Sequence, residues 1–213
     1  DNCLSCRRCE TACPANVSYE RLLLATRAEQ APKSNTQTRT MLWLMSHKPW
    51  LNALLTLYRI CFDFIPKPWR FITKPPKKQT LLTTSSKNAI FTGCIADTYE
   101  QTVRAALMRL IQAVGESADI SMQQVCCGQA ARHAGDSHTA EKLSKLNKTA
   151  FNDYESVLML ASGCSSALQD TLKLPVIDAC TFINQFAEKL NFKSAKGLCI
   201  ALHTPCSASF DNS

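Results

Sequence analysis

Four cysteines open the chain in a fixed rhythm. Cys3, Cys6, Cys9 and Cys13 stand in the order C-x2-C-x2-C-x3-C, and Pro14 follows directly. This is the spacing of an iron–sulfur ligand run. Three thiolates two residues apart wrap one face of a cubane while loop amides point at its sulfides, and the proline turns the chain away. Structural zinc favours two separated cysteine pairs, and disulfides need partners and an oxidising compartment. The run therefore predicts that Cys3, Cys6 and Cys9 hold one [4Fe–4S] cluster and that Cys13 completes a neighbouring one. Arg7 and Arg8 lie inside the ligand loop, where their charge favours a reduced cluster or is simply solvated.

A second group is spread out. Cys94 is followed by the adjacent pair Cys126–Cys127 and then by Cys164, with Gly128 and Gly135 close behind the pair. Neighbouring cysteines rarely bridge to each other, and the pair lacks the C-x-x-C spacing of a redox dithiol. Ligation of a second metal site by these four is the preferred reading, with inert buried thiols as the alternative. The two glycines are expected to let backbone approach such a site closely. Cys61, Cys180 and Cys199 sit in apolar runs without partner spacing and are expected to be buried and inert.

The elements that would place these thiols can be read from periodicity. Residues 19–28 carry a helical pattern. Residues 41–45 and 51–65 are apolar runs separated by His47, Lys48 and Pro49, both too short to span a bilayer. Beyond a Pro- and Ser/Thr-rich linker over 75–86, short apolar runs alternate with amphipathic stretches. Strands are expected at 89–92, near Ile120, at 156–161, at 176–177 and at 198–202, with helices over 97–114, 137–150 and 181–190. That alternation implies a mostly parallel sheet covered by helices, with ligands gathering at the carboxyl ends of strands. Cys94, Cys164 and Cys206 each follow a predicted strand, and Cys126–Cys127 lie in the loop after another.

The expected fold class is therefore α+β overall. It divides into a helical iron–sulfur segment over 1–32, a basic helical linker region over 33–87 and an α/β cysteine-rich domain over 88–213. Charge follows the same division. Residues 1–87 hold 14 Lys and Arg against 5 Asp and Glu, a net of +9, and the remainder holds 10 against 12, a net of −2. So uneven a distribution excludes a uniformly nucleic-acid-coating protein. There is no G-x-G-x-x-G and no P-loop, and no Ser–His–Asp arrangement can be argued. His133 and His138 read as surface or loop residues, and His203 as a candidate ligand orienter near Cys206. Trp43, Trp50 and Trp69 flank basic helices that either lie on an anionic membrane surface or pack on the chain's own core; core packing is the preferred expectation.

These residues together resemble a family. The segment from Asn2 to Leu24 is similar to the second ferredoxin motif of glycolate oxidase iron–sulfur subunits. Phe91-Thr-Gly-Cys94, the Cys126-Cys127-Gly128 element with Gly135, Ser162-Gly-Cys164 and His203-Thr-Pro-Cys206 resemble the cysteine-rich "CCG" domains of those subunits. Related domains occur in heterodisulfide reductases, in anaerobic glycerol-3-phosphate dehydrogenases and in lactate-utilisation proteins. The resemblance implies two ferredoxin-type [4Fe–4S] clusters followed by two CCG repeats. It implies an electron-transfer subunit, or the matching segment of a fused enzyme, itself not catalytic. FAD is then expected on a partner oxidase subunit or another domain, with a small 2-hydroxy acid as reductant and quinone or another carrier as acceptor. The implied location is cytoplasmic, peripheral to the inner face of the membrane at most. A heterodisulfide-reductase-like site would close with C-x-x-C, but Cys164 is followed by Ser165, Ser166 and Ala167. A chain starting two residues before its first motif and stopping seven after Cys206 is expected to be a segment of something longer.

Overall fold

The computed structural model describes Cys3, residues 8–30, 36–77 and 86–192, and the single residues Gly197, Cys199 and Ala201. Cys6, Arg7, His203, Cys206, and most of the strand expected at 198–202, lie outside the described residues.

Helices come first: α1 (Arg8–Thr11), α2 (Tyr19–Gln30), α3 (Thr36–Ser46) and α4 (Lys48–Cys61). The Glu10 carboxylate accepts a 2.7 Å bond from the Glu20 N–H, so α1 supplies a partner to the otherwise open first turn of α2. Pro49 sits in the first turn of α4, where its missing N–H costs nothing. Two short 3-10 turns, Phe62–Phe64 and Lys67–Trp69, follow where Pro66 and Pro68 stop regular helix. Lys48 pairs with Asp97 at 3.3 Å, and Tyr99 donates to the Thr73 carbonyl, so this region is tied to the second half.

The second half contains β1 (Asn88–Phe91), α5 (Ala96–Tyr99), α6 (Gln101–Ala113), α7 (Gln129–His133), α8 (Ser137–Ala150), β2 (Ser156–Met159), α9 (Ser165–Thr171), β3 (Val176–Asp178) and α10 (Ala179–Asn184). The sheet runs β1–β2–β3 and is parallel throughout. Register pairs Ala89 with Val157 and Val157 with Val176. The strand expected near Ile120 shrinks to one parallel bridge between Ala89 and Asp119. Gln124 is the cause: its side chain takes over the next hydrogen bonds that a longer strand would have made to β1.

Side chains alternate across the pleat, and the two core clusters follow that period of two. Ala89, Phe91, Val157 and Met159 face Leu143, Ala150 and Phe151 from the α8 region and Leu168 from α9. Ile90 and Leu158 face the other way, onto Leu107, Met108 and Ile111 of α6 and Ala179 and Phe182 of α10. Both faces are covered, as a parallel sheet requires. The fold is α+β as expected. The helix expected over 97–114 is broken at Glu100, whose backbone (φ −104°, ψ 22°) separates α5 from α6. α10 starts earlier than expected because Asp178 caps it, accepting from the N–H groups of Cys180 and Thr181.

Candidate metal centre

The CCG pair is held by two buried amides. Gln124 accepts from the Thr92 N–H at 2.7 Å and donates to the carbonyls of Ile90 (3.2 Å) and Ser121 (2.9 Å). Asn147, on α8 and 0% exposed, accepts from the Val125 N–H and donates to the Cys126 carbonyl, both at 3.0 Å. One amide joins the loop to the end of β1; the other joins it to α8. Sequence reasoning missed both, because a lone Gln or Asn carries no spacing signal. Their only clue was a polar residue at an apolar position of its element.

So held, the loop brings four thiols together beyond the carboxyl ends of β1 and β2. Cys126 and Cys94 lie with their Sγ atoms 3.8 Å apart, and Cys127 and Cys164 lie 3.0 Å apart. Each member of the adjacent pair thus meets a cysteine from a different strand end. Cys126 and Cys127 are buried, and Cys94 and Cys164 are half-buried against the same core. Gly128 adopts φ +84°, which turns the chain from the pair into α7. Its bare Cα faces Ala140 of α8, where a Cβ would lie 3.5 Å from backbone, while its N–H points at the Cys126 sulfur. Gly93, at φ +67°, performs the matching turn before Cys94.

The electrostatics describe a dry, sulfur-rich pocket. Hydrogen bonding to Cys126, then burial, pushes the Cys94 thiol far above its ordinary range. Cys126 is pushed up to about 11, first by Cys127. Cys127 is pushed up to about 12; its contact with Cys126 pulls it down, but Cys164 and burial outweigh that. Against this, the N–H groups of Ile95, Gly128 and Gln129 point at the sulfurs of Cys94, Cys126 and Cys127 and favour their thiolates. Protonated thiols are the metal-free state. A bound cation would remove the repulsion between thiolates, and the N–H donors are already aimed at sulfur.

The donor set therefore fits a cluster whose ligands are all sulfur. Among the described residues no three His, Cys, Asp or Glu side chains form a cage for a single metal ion; the four thiols form a row, Cys94 to Cys126, Cys126 to Cys127 and Cys127 to Cys164. That arrangement suits a polynuclear group better than one zinc ion. Position 167, where a closing cysteine would stand, is a fully buried alanine in the core.

The first run is described only in part. Cys3 is half-exposed, Cys9 lies exposed on α1, Cys13 follows α1, and Cys6 falls outside the described residues. The N–H groups of Val17, then Ala15 and Asn16, hold the Cys13 thiol below its ordinary range. Asn16 makes this amide nest with φ +50°. The structure thus gives Cys13 the environment of a ligand thiolate, while the described residues do not gather Cys3, Cys9 and Cys13 around one point.

The two regions touch. Arg27 of α2 donates to the Cys3 carbonyl at 2.7 Å and reaches His133 Nδ1 at 3.4 Å. His133 Nε2 lies 2.8 Å from Gln129 Nε2, two residues beyond the pair. Burial, then the Arg27 charge, holds His133 below its ordinary pKa, which favours the neutral ring. His133 is a half-buried bridge and not the surface residue expected. The three cysteines expected to be buried are not: Cys61, Cys180 and Cys199 are all exposed. Apolar neighbours in sequence misled there, since Cys61 and Cys180 sit on the outward sides of their helices.

Comparison with known proteins matches the same region of the chain. Residues 88–169 match the CCG cysteine-rich domain. The chain carries a CCG domain and is a homologue of glycolate oxidase iron–sulfur subunits. It is 27% identical to a probable glycolate oxidase iron–sulfur subunit of Bacillus subtilis, over 79% of this chain and 46% of that protein. An uncharacterized iron–sulfur protein of Methanococcus maripaludis is 28% identical, over 96% of this chain and 40% of its own length. The glycolate oxidase iron–sulfur subunit of Escherichia coli is 26% identical, over 80% of this chain and 46% of that protein. The chain thus spans less than half the length of these relatives. No solved structure matches it significantly.

Proposed function

We propose that this CCG-domain chain is the iron–sulfur electron-transfer part of an FAD-dependent oxidase of a small 2-hydroxy acid, glycolate or D-lactate. Electrons would pass from flavin on a partner subunit or fused domain towards quinone or another carrier, in the cytoplasm. The observation that carries the reading is the set of four thiols from three separate loops, closing on one dry place with backbone N–H groups aimed at sulfur. Its homologues are named as iron–sulfur proteins, which supports the cofactor class.

In this reading Cys94, Cys126, Cys127 and Cys164 hold one cluster. Cys3, Cys6 and Cys9 hold a [4Fe–4S] cluster, and Cys13 serves its neighbour. Such groups would supply one-electron transfer. The chain's own residues exclude water, set ligand positions through Gln124 and Asn147, and stabilise thiolate charge through the amides of Ile95, Gly128 and Gln129. Buried sulfur with few water contacts keeps reorganisation on electron transfer small.

The test is metal and sulfide analysis of anaerobically prepared full-length protein, with Cys9→Ala and Cys127→Ala variants. Each variant is expected to lose a different share of iron and acid-labile sulfide in matching amounts. Zinc without sulfide, or iron content untouched by both substitutions, overturns the proposal.

A further inference from the structure

α4 is built inside out. Trp50, Leu54, Leu57 and Ile60 recur at helical spacing and are 63%, 47%, 58% and 64% exposed. They share one face of the helix. The opposite side buries only Leu51 and Leu55, and it also carries Lys48, the partner of Asp97. The side expected to pack on the protein's own core is thus turned outward. Directly beyond the helix, Phe64, Trp69 and Phe71 are 87%, 69% and 91% exposed. An apolar surface of this kind is unusual on a protein that meets only water.

Charge narrows the occupant. Residues 36–77 carry seven Lys and Arg against one carboxylate, Asp63. Asp63 is paired with Lys74, which leaves the stretch with no free negative side chain. Lys67 and Arg70 stand among the exposed aromatics, and Arg70 lies over the Phe62 ring at 4.6 Å. All three tryptophans of the chain, Trp43, Trp50 and Trp69, fall here and are about half exposed or more, at 49%, 63% and 69%. Indole rings favour the boundary between hydrocarbon and headgroup, and clustered cations favour anionic lipid. α4 is 14 residues long, and no helix among the described residues is long and apolar enough to cross a membrane.

We propose that the outward face of α4 and the aromatic, basic segment 62–72 after it form a docking surface for an anionic lipid bilayer, with α4 lying flat in the headgroup region. Apolar residues would enter the boundary while Lys67 and Arg70 meet lipid phosphate. The proposal is independent of what metal group the cysteines hold.

The experiment is co-sedimentation of full-length protein with phosphatidylcholine vesicles, with and without about one third phosphatidylglycerol. Tryptophan emission is read in parallel. Anionic vesicles at low salt are expected to bind the protein and shift its emission to the blue. Binding should fall at least about tenfold on neutral vesicles, in high salt, or with Leu54→Glu/Leu57→Glu. These side chains are exposed, so the double variant should keep the wild-type melting temperature. Lys67→Glu/Arg70→Glu provides a second variant that leaves the helix untouched. Absence of binding to anionic vesicles at low salt overturns the proposal and leaves the face to a protein, either the chain's continuation or a partner. Binding that neither folded variant weakens overturns it equally.

Discussion

Asn147 offers the sharpest test of how the cysteine loop is held. Its amide joins α8 to both sides of the peptide chain at Val125 and Cys126, in an interior from which it is fully excluded from solvent. Asn147→Ala removes one acceptor and one donor together. It leaves the Val125 N–H and the Cys126 carbonyl without those partners. An orphaned buried polar group costs about 1–3 kcal/mol, so the pair implies about 2–6 kcal/mol if no water enters. Val125 is only half-buried, which allows its N–H some solvent and places the expected loss near about 3 kcal/mol. That is a large share of the roughly 5–15 kcal/mol of a typical domain and should lower the melting temperature by about 6–12 °C. The assay is guanidinium unfolding of metal-free protein, read by midpoint with unchanged slope. Iron and sulfide content is measured on the same variant. Asn147→Asp keeps the acceptor for Val125 but sets an unpaired buried carboxylate against the Cys126 carbonyl, and at neutral pH should cost at least as much as Asn147→Ala. A loss below about 1 kcal/mol for Asn147→Ala would refute the claim that this amide holds the loop.

Two other consequences can be checked. Cys126 and Cys127 have folded pKa values of about 11 and about 12, above the usual thiol value near 8.5. The folded state therefore holds these protons more tightly than the unfolded chain. The resulting stability is complete below the unfolded pKa and disappears as pH rises through the folded values. Metal-free protein should thus lose stability between about pH 9 and 12, and Cys126→Ala/Cys127→Ala should flatten that slope; an unchanged slope in the variant refutes the assignment. Arg27→Ala removes the link from Cys3 to His133, worth on the order of 1–2 kcal/mol for charge-assisted bonds in a half-buried site. Hydrogen exchange over residues 8–30 should accelerate about tenfold while the sheet amides stay protected, and equal acceleration in both would contradict a local role.

How far the sequence spoke depends on what kind of signal each feature carries. Parallel strands buried on both faces read as short apolar runs, so β1 and β2 were legible, and α8 matched from Ser137 to Ala150 because Asp136 caps it. The short strand near Ile120 was not, since one buried glutamine replaces the ladder there. The approach of Cys94, Cys126, Cys127 and Cys164 followed from their places after strands, a rule of topology and not of composition. The pairing within that group was invisible: nothing in the spacing says that Cys126 meets Cys94 while Cys127 meets Cys164. The burial of isolated thiols was misread for a plain reason. Local hydrophobicity reports the average of a helix or strand, and the facing of one residue is decided by tertiary contacts.

The pairing has a structural cause. Cys126 and Cys127 touch each other, and each also meets one outer cysteine. One is aimed at the turn after β1, the other at the turn after β2, and these strands are hydrogen-bonded neighbours in the sheet. The pair therefore works as a fork set across two adjacent strand ends. A fork of this kind needs its stem fixed, and the two buried amides and the left-handed Gly128 do that from three directions. It follows that replacing Gly128 and replacing Asn147 should have the same signature. Gly128→Ala forces a β-carbon into φ +84°, at a cost of about 1–2 kcal/mol, with ordinary contact distances to Ala140. If the second cysteine group holds the proposed cluster, both variants should lose it before they lose the sheet, as seen by near-ultraviolet and far-ultraviolet circular dichroism together with iron analysis. If Gly128→Ala keeps its metal while losing global stability, the stem is only a packing feature and the fork does not depend on it.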